Sequence, residues 1–184
     1  KPSICNKEVI LGCIPGTNYP VILDKEIAIT HHMAVIGVTG TGKSVFSRNL
    51  IREYLADDDV KVICVDFTGE YKDKFSDLKP TAIIDEERAK KLFKDIDLVE
   101  SDMDGNYGKD TKESREKKKE IFEEVTSAVD FFIKSDEKRM TIFELPEVQN
   151  TSGVMKYTQT FFKALFKTAD RKSTRLNSSH GIIS

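Results

Sequence analysis

The stretch HHMAVIGVTGTGKSVFSRNL, residues 31–50, constrains this chain more than any other, because it sets an apolar run, a glycine-rich loop and a helix in immediate succession. MAVIG (33–37) reads as a short buried strand by its length and unbroken apolarity. KSVFSRNLIREYLADDD reads as a helix, with Val45, Phe46, Leu50, Ile51 and Tyr54 recurring along one side. Between them, Gly37-Val38-Thr39-Gly40-Thr41-Gly42-Lys43-Ser44 fits the pattern G-x-x-x-x-G-K-[ST] in the context it requires, strand before and helix after. The glycines let the backbone turn tightly enough for successive N–H groups to converge on phosphate oxygens. The positive end of the following helix points at the same anion. Thr39, Gly40, Thr41, Gly42, Lys43, Ser44 and Val45 are therefore the candidate nucleotide-binding residues. Lys43 is placed to reach the β- and γ-phosphates and Ser44 to hold Mg2+, so ATP with Mg2+ is the expected cofactor.

The rest of the chain alternates strand and helix signals. EVILGCIPGTNYPV (8–21) mixes short apolar runs with turn residues and reads as a β-rich lead-in or linker. VKVICVDF (60–67) is apolar at nearly every position, as suits a parallel strand covered on both faces. With MAVIG and the helix between them it predicts a right-handed βαβ unit. TAIID (81–85) reads as a further short strand or a strand-like return, residues 85–98 as a helix, and SDMDGNYGKD (101–110) as a polar loop. From Lys112 to Lys134 the spacing predicts a long helix with Ile121, Val125, Ala128 or Val129, and Phe132 on its apolar face. Acid and base alternate in its first half, KESREKKKE, which reads as a salt-bridged solvent face rather than a nucleic-acid patch. MTIFELP (140–146) is another strand, followed by a helix over 153–169. No internal repeat is visible.

Composition narrows the class. With 184 residues, 39% hydrophobic and 33% charged, the chain fits one globular domain with a charge-rich surface. A net charge of −2 excludes nucleic-acid binding through a global positive field, though not through a local loop or an oligomeric pore. Three cysteines with no CxxC spacing argue against a disulfide framework and for a reducing, cytoplasmic setting. No apolar stretch approaches the roughly 20 residues that span a bilayer, so no membrane partner is expected.

A phosphate loop alone does not hydrolyse anything. Turnover also needs an acid that holds Mg2+ through water and a group that orients the attacking water. Asp66 and Glu70, in VICVDFTGEY, are the candidates, and with Lys43 they form the candidate catalytic set. Asp66 sits at the carboxyl end of a predicted strand, where ligands gather in parallel sheets. Read on residue chemistry alone, Asp66 could equally cap a turn and Glu70 could simply be exposed.

Three segments resemble the HerA/FtsK superfamily of DNA-pumping ATPases, and its HerA-like branch in particular. GCIPGTNYPVILDKEIAITHHMAVIGVTGTGKS is similar to the segment entering the HerA ATPase domain, with a Pro-Val-x-Leu-Asp run, a histidine and a GxTGxGKS loop. VDFTGEY resembles the family's D-x-x-G-E-Y signature, and MTIFELPEVQ with its helix resembles the elements before the Walker B strand. The likeness runs over about residues 10–169, with a charged helical insertion at about 72–138. Its implications are a RecA-like α/β P-loop fold, a parallel sheet flanked by helices and incomplete on its C-terminal side. It further implies a homo-hexameric ring moving double-stranded DNA through its pore, and a nuclease or defence effector as partner. Gly40 to Ser44 match the nucleotide loop, Asp66 and Glu70 the acidic signature, and His32 the histidine before the first strand.

The departures shape the remaining expectations. No apolar strand ending in Asp-Glu or Glu-Glu occurs; FELP (143–146) carries an acid, but proline follows it and its position suits the preceding strand. Residues 1–24 are expected to lead in from a β-rich domain, 25–170 to form a partial ATPase domain, and 171–184 to be a non-native or disordered tail. Such a chain is expected to hydrolyse ATP poorly. A small-molecule or nucleoside kinase is the alternative, though the Lys/Glu helix makes a poor lid. A GTPase-like switch lacks the Asn-Lys-x-Asp motif it would need.

Overall fold

A computed structural model describes residues 7–31, 33–67, 69–145 and 151–180, in the last segment with side chains for 153–170. The chain divides into two compact units, Lys1–Val60 and Lys61–Ser184.

In the first unit, β1 (Glu8–Cys13) and β2 (Pro20–Asp24) pair antiparallel around the turn that Pro15 and Gly16 signal, with an irregularity between Ile10 and Gly12. The β-rich reading of this segment holds. Asp24 ends β2 and caps α1 (Lys25–Thr30), its carboxylate accepting from the Ile27 amide at 3.0 Å. The expected strand at 33–37 does not form. Residues 33–38 make no ladder among the described residues, and Met33, Val35, Ile36 and Val38 are all exposed, Ile36 by 91%. Apolar continuity specifies that a segment prefers burial, but a strand exists only when a neighbour takes its N–H and C=O groups. Helix α2 (Lys43–Leu55) follows the loop and buries Leu50.

The second unit is a three-stranded parallel sheet with helices packed on it, so the chain is mixed α/β. The strand order is β3 (Val62–Asp66), β5 (Met140–Glu144), β4 (Thr81–Ala82). Val62 pairs with Met140 and Asp66 with Glu144 at the two ends of one ladder. β4 is only two residues long. The buried Thr141 hydroxyl reinforces it by donating to the Thr81 carbonyl at 2.8 Å.

Helix α4 (Glu86–Gly105) is capped by Asp85 and runs past its expected end through SDMDG, because Val99 and Met103 continue its apolar stripe. It stops where Tyr107 and Gly108 take left-handed conformations. Helix α5 (Lys112–Lys134) has the bounds its spacing predicts, with Thr111 as N-cap. Helix α6 runs Thr151–His180, well beyond residue 169; no Gly or Pro interrupts residues 171–180, where the sequence reading placed a tail. The helices read as a charged insertion supply much of the core: Leu92, Phe93, Ile96, Val125, Val129 and Phe132 are all buried.

Phe143 of β5 joins sheet to helices. Its ring stacks on Phe161 at 3.8 Å and on Tyr157 at 5.2 Å, and Tyr157 meets Phe93 of α4 at 6.4 Å. Gly153 lets α6 approach α4, since a Cβ there would lie 2.6 Å from the Phe93 ring. Lys61 closes the other end. Its ammonium donates to the carbonyls of Phe132 (3.1 Å), Ile133 (2.9 Å) and Ser135, the last turn of α5, where a cation suits the helix dipole.

Candidate nucleotide loop and acidic strand end

Gly40 and Gly42 adopt φ of 88° and 87°, a region that penalises any side chain, and so the loop turns twice within three residues. Gly37 is crowded rather than turned: a Cβ there would lie 2.7 Å from the Thr41 hydroxyl, which would have to move, and 3.5 Å from Lys43 Cγ. The Val38 carbonyl is the hub of the turn. It accepts from the Thr41 amide at 3.3 Å, the Thr41 hydroxyl at 2.7 Å and the Lys43 ammonium at 2.8 Å.

Gly42 is the N-cap of α2 and offers no side-chain cap, and no acid lies in the first turn. The N–H groups that a Ser or Asp cap would otherwise satisfy are left to other acceptors. Thr39, Gly40, Thr41, Ser44 and Val45 are exposed around this end. A small turning loop, an uncapped helix N-terminus and an ammonium folded over the loop suit an anion with several oxygens.

The acids lie in the second unit. Asp66 ends β3 and is buried, 3% exposed, while its Oδ1 accepts from the Gly69 amide at 3.0 Å and its Oδ2 from the Tyr71 amide at 2.7 Å. Burial, and then the negative charge of Asp66, push the neighbouring Cys64 thiol up to about 11. That buried sulfur is an inert core group. Glu70 is exposed; it is the N-cap residue of the short helix α3 (Tyr71–Lys74) but makes no side-chain capping bond. Of the residues singled out in the sequence, His32 lies outside those described.

Register exposes one acid that the sequence reading set aside. Glu144 ends β5 directly opposite Asp66, so two carboxylates close adjacent parallel strands. Glu144 is half-buried and pairs with Lys72 at 3.7 Å. The signal was present in FELP, an acid closing an apolar strand, but its neighbour across the sheet depends on strand order. Among the described residues no group of three or more His, Cys, Asp or Glu side chains could hold a metal ion, and no helix is long and apolar enough to cross a membrane.

Comparison with known proteins agrees with the loop. The family model described as "Helicase HerA, central domain" matches residues 9–177. An uncharacterized protein of Aquifex aeolicus (strain VF5), aq_aa31, is 40% identical over 72 residues, which cover 39% of this chain and 26% of that relative. The chain thus spans about a quarter of the curated relative it matches. No solved structure matches the chain significantly.

Proposed function

The chain belongs to the HerA helicase central-domain family, and from that premise we propose that it is the ATP-binding part of a DNA-translocating ATPase. The observation that carries the proposal is the cradle at Gly37–Ser44, where left-handed glycines, the crowded Gly37 and the uncapped start of α2 combine. Lys43 would meet the β- and γ-phosphates, the amides of residues 39–45 would hold the phosphate oxygens, and the Ser44 hydroxyl would hold Mg2+. Hydrolysis of the bound triphosphate supplies the free energy for moving DNA. Glu70 and Asp66 are the acids proposed to serve that step.

The rest of the proposal rests on the family: a RecA-like fold, a homo-hexameric ring with double-stranded DNA in its pore, and a nuclease or defence effector as partner. DNA processing, repair or antiphage defence would be its setting, in the cytoplasm. Because no strand among the described residues ends in Asp-Glu or Glu-Glu, binding by the 184-residue chain is expected to be far better than turnover.

Titration of a fluorescent ATP analogue tests the central claim. Wild type binds it, ADP competes, and Lys43→Ala weakens binding by about tenfold or more, the loss of one charge-assisted contact. Equal binding by Lys43→Ala would remove the nucleotide reading. Vigorous steady-state hydrolysis, lost in Lys43→Ala, would instead overturn the expectation of poor turnover.

A further inference from the structure

We infer that Thr41 is a positioning residue of the glycine-rich loop through its side chain, and that Gly37 lacks a side chain to leave room for the Thr41 hydroxyl. Thr41 serves nucleotide binding by setting the shape of the loop, not by touching the phosphates with that hydroxyl. The inference rests on the proposed nucleotide reading and adds a side-chain role beside that of the Thr41 amide.

Two donors of one residue meet the same acceptor. The Thr41 amide reaches the Val38 carbonyl at 3.3 Å, long for a backbone hydrogen bond, whereas the hydroxyl reaches it at 2.7 Å. The hydroxyl is therefore the firmer closure of the turn 38–41. Closure matters here because Gly40 and Gly42, with φ of 88° and 87°, belong to the residue type that loses most freedom on ordering. A bond already made when the ligand arrives spares binding part of that ordering. Lys43 shares the acceptor at 2.8 Å, so the same carbonyl keeps the ammonium beside the turn.

Gly37 supplies an independent observation. Its backbone is not left-handed, so conformation alone does not call for glycine there. A Cβ at that position falls 2.7 Å from the Thr41 hydroxyl, closer than real Cβ contacts come, but 3.5 and 3.6 Å from the Lys43 stem, which is ordinary contact. The hydroxyl is what stands in the way. It can yield by rotating about the Thr41 Cα–Cβ bond, and that rotation breaks its bond to Val38. A methyl at 37 and the loss of the hydroxyl at 41 thus damage the loop by one route, and their effects cannot add.

The test uses the full chain with a fluorescent ATP analogue in Mg2+. It also uses the three-bond Hα–Hβ coupling of Thr41 by NMR, which reports whether the side chain keeps one rotamer. Thr41→Ala and Thr41→Val should each weaken binding about threefold to tenfold, as the loss of one hydrogen bond does. Thr41→Ser keeps the hydroxyl and should bind within about twofold of wild type. Gly37→Ala should match the Thr41→Ala loss and shift the Thr41 coupling in the free chain. In a Thr41→Ala background, Gly37→Ala should weaken binding by less than about a further twofold. Thr41 is exposed, so the melting curve should not move in the Thr41 variants.

Wild-type binding by Thr41→Val, or a Thr41 coupling averaged over rotamers in the wild-type chain, would overturn the inference. So would a Gly37→Ala loss that persists in full without the Thr41 hydroxyl, since glycine would then be needed for the approach of the phosphates themselves. Should Gly37→Ala fail to fold, the Thr41 series and the coupling decide alone. If Lys43→Ala binds as wild type does, the nucleotide reading fails by itself, and the coupling in the free chain still decides whether Thr41 holds the turn.

Discussion

Helices α2 and α5 are both amphipathic, yet α2 buries one residue, Leu50, whereas α5 buries six, among them Val125 and Val129 with no exposed surface. The difference follows from what each unit offers as a partner. In the second unit three helices and a sheet share one core, although Met155 and Phe166 of α6 and Phe131 of α5 stay exposed. In the first, a hairpin, a six-residue helix and α2 leave Ile36, Val38 and Val45 exposed. The glycine-rich loop belongs to the less consolidated unit. Functional loops are commonly drawn from the low-stability end of a structure, because they must rearrange around a ligand.

That contrast can be broken by mutation, and the largest effect should come from Phe161→Ala. Phe161 is fully buried against Phe143, and its loss should cost about 3–5 kcal/mol in urea unfolding followed by circular dichroism. Ile36→Ala, at a 91% exposed position, should change stability by less than about 0.5 kcal/mol. Comparable losses at the two sites would show that the 33–38 run is buried in solution, and the comparison would fail.

Two glycines sharpen it next. Gly153→Ala places a methyl 2.6 Å from Phe93 and 2.9 Å from Asp97, and the overpacking should cost about 1–3 kcal/mol of stability. Gly37→Ala meets the Thr41 hydroxyl at 2.7 Å and should leave the melting curve nearly unmoved while weakening ATP-analogue binding. A fall in stability at Gly37 without a change in binding would reverse the assignment of the two units.

Lys61→Met should follow, at about 1–2 kcal/mol, since it strips a cation from the three closing carbonyls of α5 but keeps an apolar stem. The smallest effect has the opposite sign. The Tyr157 hydroxyl is buried without a hydrogen-bond partner among the described residues, and burial pushes its ionisation above the ordinary tyrosine range. Tyr157→Phe should therefore leave thermal stability unchanged or raise it by up to about 1 kcal/mol. A clear loss on removing the hydroxyl would reveal a buried partner, such as water.

What the sequence disclosed divides along the same line. Helix α5 was legible to the residue because its periodicity and the Thr111 cap are local facts about one helix. The loop was legible too, since Gly40 and Gly42 sit where only glycine turns easily. The 33–37 strand was not, because strand formation is a contract with a neighbour that apolar composition cannot name. Nor was the pairing of Asp66 with Glu144, which lie far apart in sequence and meet only through strand order. For Asp66 itself the sequence held two roles open, cap and cation holder. The amides of Gly69 and Tyr71 at its oxygens are tertiary information of the kind that separates them.

Lys61 is the first residue past the boundary between the two units, and its ammonium is tied to the end of α5 just before β3 begins at Val62. Tension applied to the chain at Val60 therefore meets a cross-brace before it can peel Val62 from Arg139 and unzip β3 from β5. The junction diverts load sideways into a 23-residue helix rooted in the core, as a cleat takes strain off a knot.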